Sequence, residues 1–352
     1  MSQVEGILAE RLQRGEWQEV IPSERRLCEE LRVSRKTLRA ALEALCRKGF
    51  LRSSSTRLRL ITTPPQQTAA RFRSRKIFLI GSAPIPSAEQ SQTMVIEAAR
   101  THVREAGFDL DIAISPRFAL HHCTGTVAKL VKQTPVACWI LWSVQAETQR
   151  WFVERGLPAL ALGSCLPGIA LPSIDMDYRA SIQHAVDLLL ARGHRRIVLF
   201  IQKSAVAGYR LTEESFLSAF QRAGQRDADP RITRHDGTIK AICSALDALG
   251  AAKFRPTALV VNDAFHVITV FGHLSRLGLQ VPADLSVISH GDDPCLDYVV
   301  PRLARYSVDP VGLGRKLARL AIQIAEGHSS RLRRIRIMPR FISGESVAPP
   351  RD

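Results

Sequence analysis

The sequence predicts a small winged helix-turn-helix domain at the amino end and a larger α/β domain after it. Two short amphipathic helices, joined by a three-residue turn, occupy residues 21–50. A cationic extended segment follows at residues 52–61. From residue 77 onward, short apolar runs alternate with stretches of helical periodicity, which is the pattern of parallel β-sheets covered by helices. These three observations define the predicted fold class.

The helix-turn-helix unit begins at Pro22. Ser23 is a suitable N-cap, and Glu24 places a negative charge in the first turn, where the helix dipole favours it. The turn at 32–34 ends in Ser34, which is the predicted N-cap of the second helix. In that helix, apolar residues recur at intervals of three and four, at Leu38, Ala41, Leu42 and Leu45. Its length suits the major groove of DNA.

The second helix starts with hydroxyl and cationic side chains, at the end from which such a helix contacts bases and phosphates. Arg35, Thr37 and Arg39 are expected to contact bases, and the cations around them to contact phosphates. The full set of candidate DNA-binding residues is Arg25, Ser34, Arg35, Lys36, Thr37, Arg39 and Arg57. A surface helical hairpin with a solvated basic face is the alternative interpretation, and the cationic wing that follows favours DNA binding.

An ordered set of residues in this region matches a known family. The set comprises Ile7, Leu8, Leu12, Gly15, Trp17, Pro22, Ser23, Glu24, Arg25, Leu27, Val33, Ser34, Arg35, Thr37, Arg39, Ala41, Leu42, Leu45 and Gly49. On these residues, the segment 4–62 resembles the winged-helix DNA-binding domain of the GntR family. The resemblance implies a winged-helix domain over residues 1–63. The chain departs from the family at 53–56, where Ser-Ser-Ser-Thr replaces the usual wing glycines.

The formal net charge is +16, and residues 1–75 carry half of it because they hold 16 Lys and Arg against 8 Asp and Glu. A basic amino end indicates a nucleic-acid partner. A membrane surface is the competing explanation, but it requires a long cationic amphipathic helix with aromatic residues opposite, and none is visible. The start lacks the apolar run of a signal peptide, and the seven scattered cysteines include no CxxC pair. We therefore expect a cytoplasmic protein with no membrane segment.

Residues 64–76 are rich in Thr, Pro, Gln and Arg, and they predict a linker. After it, strands are expected near 77–81, 108–114, 137–142, 158–163, 195–201, 232–235, 257–262 and 285–291. Helices are expected near 92–106, 122–132, 145–155, 178–191, 212–223, 238–250, 263–277 and 310–326. A single closing strand is expected in the run RRIRIMPRFI at 333–342.

Two motifs in the α/β region match a second family. Residues 189–197 read LLARGHRRI, and residues 281–294 contain VPADLSVI followed by GDDP. Further matches occur in the same order at Asn262, Asp263, Pro301, Asp309, Gly312, Gly314, Gly344, Glu345 and Ser346. Residues 77–346 therefore resemble the LacI/GalR effector domain, a periplasmic-binding-protein fold of type I.

That resemblance implies two Rossmann-like lobes with a ligand in the cleft between them. Lobe one would comprise about 77–192 and 303–328, and lobe two about 195–301 and 331–346. It also implies a homodimer formed through the helices near 92–106 and 263–277. Binding of a small-molecule effector would close the lobes and change the spacing of the two winged helices.

Polar residues at the carboxyl ends of the predicted strands are candidate ligand contacts, because ligands of open α/β sheets bind there. The candidate effector-binding residues are Trp142, Arg210, Asp236, Asn262 and Asp292. Carboxylates and an amide suit a polyhydroxylated ligand. Helix capping by Asn262 and an Asx turn at Asp292 are the alternatives. The chain has Thr212 where sugar-binding relatives usually have Arg, and residues 290–291 replace a Gly-aromatic pair, so an effector other than a sugar remains open.

The sequence contains no phosphate-binding loop, nucleophile elbow or HExxH motif, so no catalytic residue is predicted. His121, His122 and Cys123 are adjacent and cannot all face one ion, so we predict neither a metal nor a cofactor. We expect a repressor that senses a sugar or related metabolite and binds a pseudo-palindromic double-stranded DNA operator as a homodimer. A constitutive DNA-binding protein with a non-sensing dimerisation domain, or a cytoplasmic enzyme, are the alternatives.

Overall fold

The computed structural model of the chain describes residues 3–13, 16–17, 21–47, 50–53, 59–61, 74–82, 90–119, 123–225, 227–251, 254–328 and 333–351. The chain forms two compact units, Met1–Arg73 and Ser74–Asp352. The boundary between them lies within the segment that the sequence predicts as a linker.

Three helices and a two-stranded hairpin form the amino-terminal unit. Its elements are α1 (Gln3–Gln13), α2 (Glu24–Leu31), α3 (Arg35–Arg47), β1 (Leu51–Ser53) and β2 (Arg59–Ile61). The two strands pair antiparallel. The apolar faces of the helices meet in one core, made of Val4, Leu8, Ile21, Leu27, Leu38, Ala41, Leu42, Leu45 and Leu51. The winged helix predicted from periodicity is confirmed, and Arg57 at the wing lies outside the described residues.

Local hydrogen bonds explain the sharp turn between α2 and α3. The Ser23 hydroxyl accepts from the Arg26 N–H at 3.4 Å and begins α2. α2 ends at Arg32, whose φ of 52° is left-handed, a conformation that reverses the chain after a helix. Ser34 then accepts from the Thr37 N–H at 3.1 Å and begins α3. These caps set the direction in which α3 leaves the core.

The second unit alternates strands and helices. Its strands are β3 (Lys76–Gly81), β4 (Asp109–Ile114), β5 (Cys138–Trp142), β6 (Ala159–Leu162), β7 (Ser173–Met176), β8 (Arg196–Gln202), β9 (Asp229–His235), β10 (Ala258–Val261), β11 (Ser286–Ser289), β12 (Ala304–Ser307), β13 (Arg334–Ile337) and β14 (Arg340–Ile342). Its α-helices are α4 (Gln90–Glu105), α5 (Thr124–Gln133), α6 (Ala146–Glu154), α7 (Tyr178–Ala191), α8 (Ala207–Ala223), α9 (Ile239–Ala251), α10 (Ala264–Arg276) and α11 (Pro310–Ala325).

The strands form two six-stranded sheets, and each sheet is the centre of one lobe. Lobe one has the order β13-β7-β6-β5-β3-β4, and lobe two has the order β14-β12-β11-β10-β8-β9. All neighbours are parallel except β12 and β14. Helices cover both faces of each sheet, so central strands such as β5 and β10 are almost continuously apolar. The two-lobed α/β fold that the resemblance implied is confirmed.

The expected lobe boundaries need correction, because the chain crosses between lobes at other places. The helix α7 packs in the core of lobe two, whereas it was assigned to lobe one. The strand β12 belongs to lobe two and β13 to lobe one, which reverses both assignments. The run RRIRIMPRFI is two strands, because Pro339 lacks the N–H that a continuing ladder requires. The chain therefore crosses after β7, after β12 and after β13.

Two strands were not predicted, and α8 begins five residues before its predicted start. The strands β7 and β12 read SIDM and ARYS, so their apolar content is too low for the pattern to reveal them. Pairing within a sheet, not local periodicity, makes them strands. Both strands reach the cleft between the lobes, where Asp175 of β7 and Tyr306 of β12 line the cavity.

The helices α4 and α11 pack closely in lobe one at Gly314. A Cβ atom at Gly314 would lie 2.5 Å from the Val95 carbonyl oxygen, so only glycine allows this approach. Across the described ranges of both units, we find no helix with the length and apolarity that a membrane crossing requires.

Candidate nucleic-acid interface and interlobe cleft

The exposed face of α3 carries the cations and hydroxyls that the sequence analysis selected. Arg35, Lys36, Thr37 and Arg39 are all exposed, whereas Leu38 between them is buried. The hydroxyls of Ser34 and Thr37 lie 2.9 Å apart and hydrogen-bond to each other. The amino end of α3 therefore presents side chains to solvent from a backbone that is fixed by its cap.

Two of the candidate cations are held by neighbouring carboxylates. The Nε of Arg39 donates to Glu24 on α2 at 2.9 Å, and this hydrogen bond raises the pKa of the Arg39 guanidinium further. Arg25 donates to Glu29 at 3.2 Å while 81% of its side chain stays exposed. Such exposed pairs contribute little to stability, so both arginines can exchange a carboxylate for a phosphate or base.

A cavity of about 280 Å³ lies between the two lobes of the second unit. It is lined from lobe one by the ends of β5, β6 and β7, and from lobe two by the ends of β10, β11 and β12. Carboxyl ends of parallel strands meet at one edge of each sheet, and here the two edges face each other. The cavity is therefore the cleft that the fold class predicts.

Three of the five candidate effector residues line this cavity, namely Trp142, Asn262 and Asp292. Arg210 lies on the exposed surface of α8 and donates to Glu214 at 2.7 Å. Asp236 is exposed and accepts from the N–H and the hydroxyl of Thr238 at 2.8 Å and 2.7 Å, and Thr238 in turn caps α9 by accepting from the Ala241 N–H at 3.2 Å. The structure places neither of these two residues at the cleft, because α8 turns the Arg210 side chain outward and Asp236 serves the helix that follows it.

Trp142 forms part of the floor of the cleft while only 5% of it is exposed. Its ring lies on Gly81, where a Cβ atom would come within 2.7 Å of Cε3. After the tryptophan the chain turns through Ser143, whose φ is 50°. The Ser143 carbonyl accepts from the Ser82 hydroxyl at 2.5 Å, which fixes this turn. Trp142 is thus a core residue that also lines the cleft.

Asp175 ends β7 at the cleft wall of lobe one. Its carboxylate accepts from the Ser164 hydroxyl at 2.5 Å and from the Met176 N–H at 2.8 Å. Burial raises the pKa of Asp175 to about 6, and these donors, together with the Tyr178 side chain, limit the rise. Asp175 therefore carries its charge at neutral pH and loses it in mild acid.

Asp263 is the second carboxylate of the cleft and lies after β10 in lobe two. The Tyr209 hydroxyl donates to its Oδ1 at 2.6 Å, and His266 Nδ1 lies 3.3 Å from its Oδ2. Burial alone would raise the pKa of Asp263, but His266, Tyr209 and Asn262 outweigh it and hold the pKa below its usual value. Asp263 is therefore ionised inside the protein.

His290 lies between the rings of Tyr178 and Tyr306, at centroid distances of 5.6 Å and 5.9 Å. Its Nε2 is 2.8 Å from the Ser181 hydroxyl, and its Nδ1 is 3.3 Å from the Asn262 amide oxygen. Burial lowers the pKa of His290 to about 4, so the imidazole is neutral at physiological pH. Both ring nitrogens are thus engaged within the protein, and His290 brings no positive charge to the cleft wall.

Asp292, the third carboxylate, is already paired. Arg305 on β12 donates from Nε to Asp292 at 2.7 Å and from its other arm to Asp297. Only 8% of the Arg305 side chain is exposed, so this ion pair is largely removed from water. The negative charge of Asp292 is thus neutralised on the side away from the cleft.

Comparisons with known families agree with this geometry. Residues 1–57 match the gntR family of bacterial regulatory proteins, and residues 186–347 match the periplasmic binding protein-like domain. The chain joins a GntR-type winged helix to a periplasmic-binding-protein-like domain. The family models thus cover both the unit that bears α3 and most of lobe two.

Relatives of the chain include two repressors. The HTH-type transcriptional repressor CytR of Escherichia coli (strain K12) is 25% identical over 177 residues, which are 49% of this chain and 51% of that protein. The lactose operon repressor of the same strain is 21% identical over 270 residues, which are 75% of this chain and 73% of that protein. The chain therefore spans about half of the length of the CytR relatives that it matches. These relatives are transcriptional regulators and not enzymes.

Solved structures show the same fold for the periplasmic-binding-protein-like domain. A LacI family transcriptional regulator from Bifidobacterium animalis subsp. lactis DSM 10140 has a TM-score of 0.68 at 19% identity, covering 79% of this chain and 99% of its own. A LacI family transcriptional regulator from Enterococcus faecium, solved with bound ribose, has a TM-score of 0.66 at 16% identity, covering 78% and 100%.

The lobes of the periplasmic-binding-protein-like domain are also joined by a hydrogen bond outside the cleft. Asp293 of lobe two is 2% exposed, and its Oδ2 accepts from the Gln90 N–H at 2.6 Å and the Ser91 N–H at 3.4 Å, at the start of α4 in lobe one. Its Oδ1 accepts from the Cys295 N–H at 3.1 Å. A carboxylate of one lobe thus caps a helix of the other, which favours the lobe arrangement described here.

Several cleft residues were missed by sequence reasoning or were given another role. Asp175 ends a strand whose polar composition concealed it, and Tyr209 lies in a helix turn that was not predicted. Asp263 was noted only beside Asn262, and His290 only as a departure from the family pattern. Asp263 and His290 lie at the carboxyl ends of predicted strands, so the same criterion that selected Asn262 and Asp292 could have identified them as candidate ligand contacts. His121 and His122 lie outside the described residues, and among the residues that are described, no group of three or more His, Cys, Asp or Glu could hold a metal ion.

We expect Asp175→Asn to stabilise the domain at pH 7.5, because the folded state disfavours the ionised form of a group whose pKa burial raises to about 6. The gain should be about 1–2 kcal/mol, since the lost charge-assisted hydrogen bonds offset part of it. Below the unfolded pKa, near 4, both states are protonated and the gain disappears. Urea unfolding at pH 7.5 and at pH 4 measures this difference. An equal gain in the free energy of unfolding at both pH values would contradict the raised pKa of Asp175. The matched control is Asp229→Asn, which changes an exposed carboxylate.

The Asp293→Asn variant tests the contact between lobes. Asparagine keeps an acceptor for the Cys295 N–H but replaces the other oxygen with an amide that cannot accept from Gln90 or Ser91. The loss of about 1 kcal/mol should accelerate hydrogen exchange of these two amides about fivefold. Asp309→Asn is the control, because Asp309 caps α11 within its own segment. Unchanged exchange at Gln90 in Asp293→Asn would refute the capping role.

Proposed function

We propose that this protein is a ligand-responsive transcriptional regulator that binds a DNA operator through α3 and senses a small metabolite in the interlobe cleft. The observation that supports it most is the joint presence, in one chain, of an exposed cationic recognition-type helix and a two-lobed cleft lined by polar strand ends. The repressors among its relatives support repression as the outcome. A sugar or related metabolite is the proposed effector class, in line with the ribose-bound neighbour.

The proposed action at DNA divides the cations into two groups. Arg35, Thr37 and Arg39 would contact base edges in the major groove, while Arg25 and Lys36 would contact phosphates. One winged helix buries too little surface for tight specific binding, so we propose a homodimer on a pseudo-palindromic operator. Seven free cysteines fit a reducing compartment, and we propose the cytoplasm as the site of action.

The full-length chain provides the test of this proposal. Selection of genomic or random duplexes by the protein should yield a defined operator, and a mobility-shift assay should then give a complex that a small metabolite weakens or strengthens. A complex that no metabolite alters would favour the constitutive DNA-binding alternative. Failure to select any sequence would exclude the regulator altogether.

The double variant Arg35→Ala with Arg39→Ala should lose specific operator binding by about 100-fold or more, because each base contact is worth about 1–3 kcal/mol. The fold should persist, since both side chains are exposed and outside the core. Fluorescence anisotropy with the selected operator measures the loss, and Arg210→Ala with Arg222→Ala is the control of equal charge on the other unit. Full operator affinity in the first double variant would disprove the role of α3.

A further inference from the structure

We infer that the interlobe cleft binds a small hydroxylated ligand that carries an amine, such as an amino sugar, and that it rejects anionic ligands. This inference rests on the proposed function, because it names the ligand class for the same cleft. The volume of about 280 Å³ is near the lower end for small-molecule sites and suits a ligand of monosaccharide size.

The charge of the cleft wall carries the argument. The described residues that line the cavity include three carboxylates, at Asp175, Asp263 and Asp292, and include neither lysine nor arginine. Arg305 is near the wall, but both arms of its guanidinium are engaged, by Asp292 and Asp297. A phosphate or carboxylate on the ligand would therefore find no cation among the residues described at this wall.

The histidines at the cleft do not supply the missing positive charge. His290 is buried between two tyrosine rings, and burial lowers its pKa to about 4. His235, which packs on Phe200 behind the cleft, also has a pKa lowered to about 4, by burial first and by His266 second. At neutral pH, His290 and His235 are uncharged, whereas His266 lies 3.3 Å from Asp263, so the charge of the cleft wall comes from Asp175 and from the Asp263–His266 pair.

The two carboxylates that Arg305 does not bind lie on opposite lobes, Asp175 on lobe one and Asp263, beside His266, on lobe two. Closure of the lobes around a ligand brings these walls together in a space from which water is expelled, so their mutual repulsion rises. An ammonium group between them removes that repulsion and donates up to three hydrogen bonds to acceptor oxygens. An anion between the two carboxylates would instead increase the repulsion.

The remaining wall residues suit the rest of such a ligand. Trp142, Tyr178, Tyr209 and Tyr306 line the cavity, and aromatic faces attract cations as well as the apolar face of a sugar ring. Asn262 and Ser164 provide polar groups for hydroxyls. An amine and several hydroxyls on a small ring therefore match both the charge and the hydrogen-bonding character of the cleft.

The test uses four sugars of one ring type whose charges differ: glucose, N-acetylglucosamine, glucosamine and glucuronate. Full-length protein is titrated with each at pH 7.0, and affinity is obtained from the shift in melting temperature and from calorimetry. Glucosamine should bind at least 10-fold more tightly than the two neutral sugars, and glucuronate should give no shift. Glucuronate binding as tightly as glucosamine, or no shift with any of the four, would overturn the inference.

Charge-removing variants connect the preference to the cleft. In Asp263→Asn, and in Asp175→Asn, the ratio of glucosamine to glucose affinity should fall several-fold, because an amide does not attract the ammonium group as a carboxylate does. Asp229→Asn removes an exposed charge from β9 that pairs with Arg231, and should leave the ratio unchanged. An unchanged ratio in both cleft variants would refute the role of these carboxylates.

The test of the ligand class and the test of the proposed function can fail independently of each other. If an operator is selected and bound but the amine preference is absent, the regulator stands and this ligand class fails. If glucosamine binds with the expected preference while no DNA sequence is selected, the cleft assignment stands and the proposed regulator fails.

Discussion

Two half-buried carboxylates, one on each lobe, line the cleft of the carboxyl-terminal unit. Asp175 and Asp263 are ionised at neutral pH although burial opposes their charge, because hydroxyl, imidazole and backbone donors surround them. The fold brings them together only because each lobe turns the carboxyl ends of its parallel strands toward the same cleft. Charged groups from both lobes therefore lie at the wall of one cleft.

Three chain crossings and a helix cap connect the two lobes. The chain passes between the sheets three times, and the passages after β7 and β12 follow strands whose ends line the cleft. Asp293 adds a direct hydrogen bond from lobe two to the first turn of α4. A ligand shifts the equilibrium between two lobe arrangements only if it binds them with different affinities. The Asp293 helix cap acts on the same equilibrium, because it joins the two lobes.

The amino-terminal unit holds one helix, α3, with its cationic face exposed. Its core is built from the apolar stripes of three short helices, and α3 contributes four of the buried residues. The opposite face of α3 then has no contact within the unit that would bury its cations. Exposed pairs such as Arg39 with Glu24 fix side-chain positions weakly, which suits a surface that exchanges partners.

The sequence by itself determined the winged helix, the α/β alternation and eight of the twelve strands of the second unit, because these depend on periodicity and on local caps such as Ser23 and Ser34. Only the tertiary structure decided lobe membership and the composition of the cleft. The strands β7 and β12 form because neighbouring strands pair with them. Arg210 lies outside the cleft because α8 turns its side chain outward toward Glu214, and Asp236 lies outside it because it binds Thr238 at the start of α9. Contacts between residues distant in the chain carry no periodic signal, so local pattern could not place Asp175 opposite Asp263.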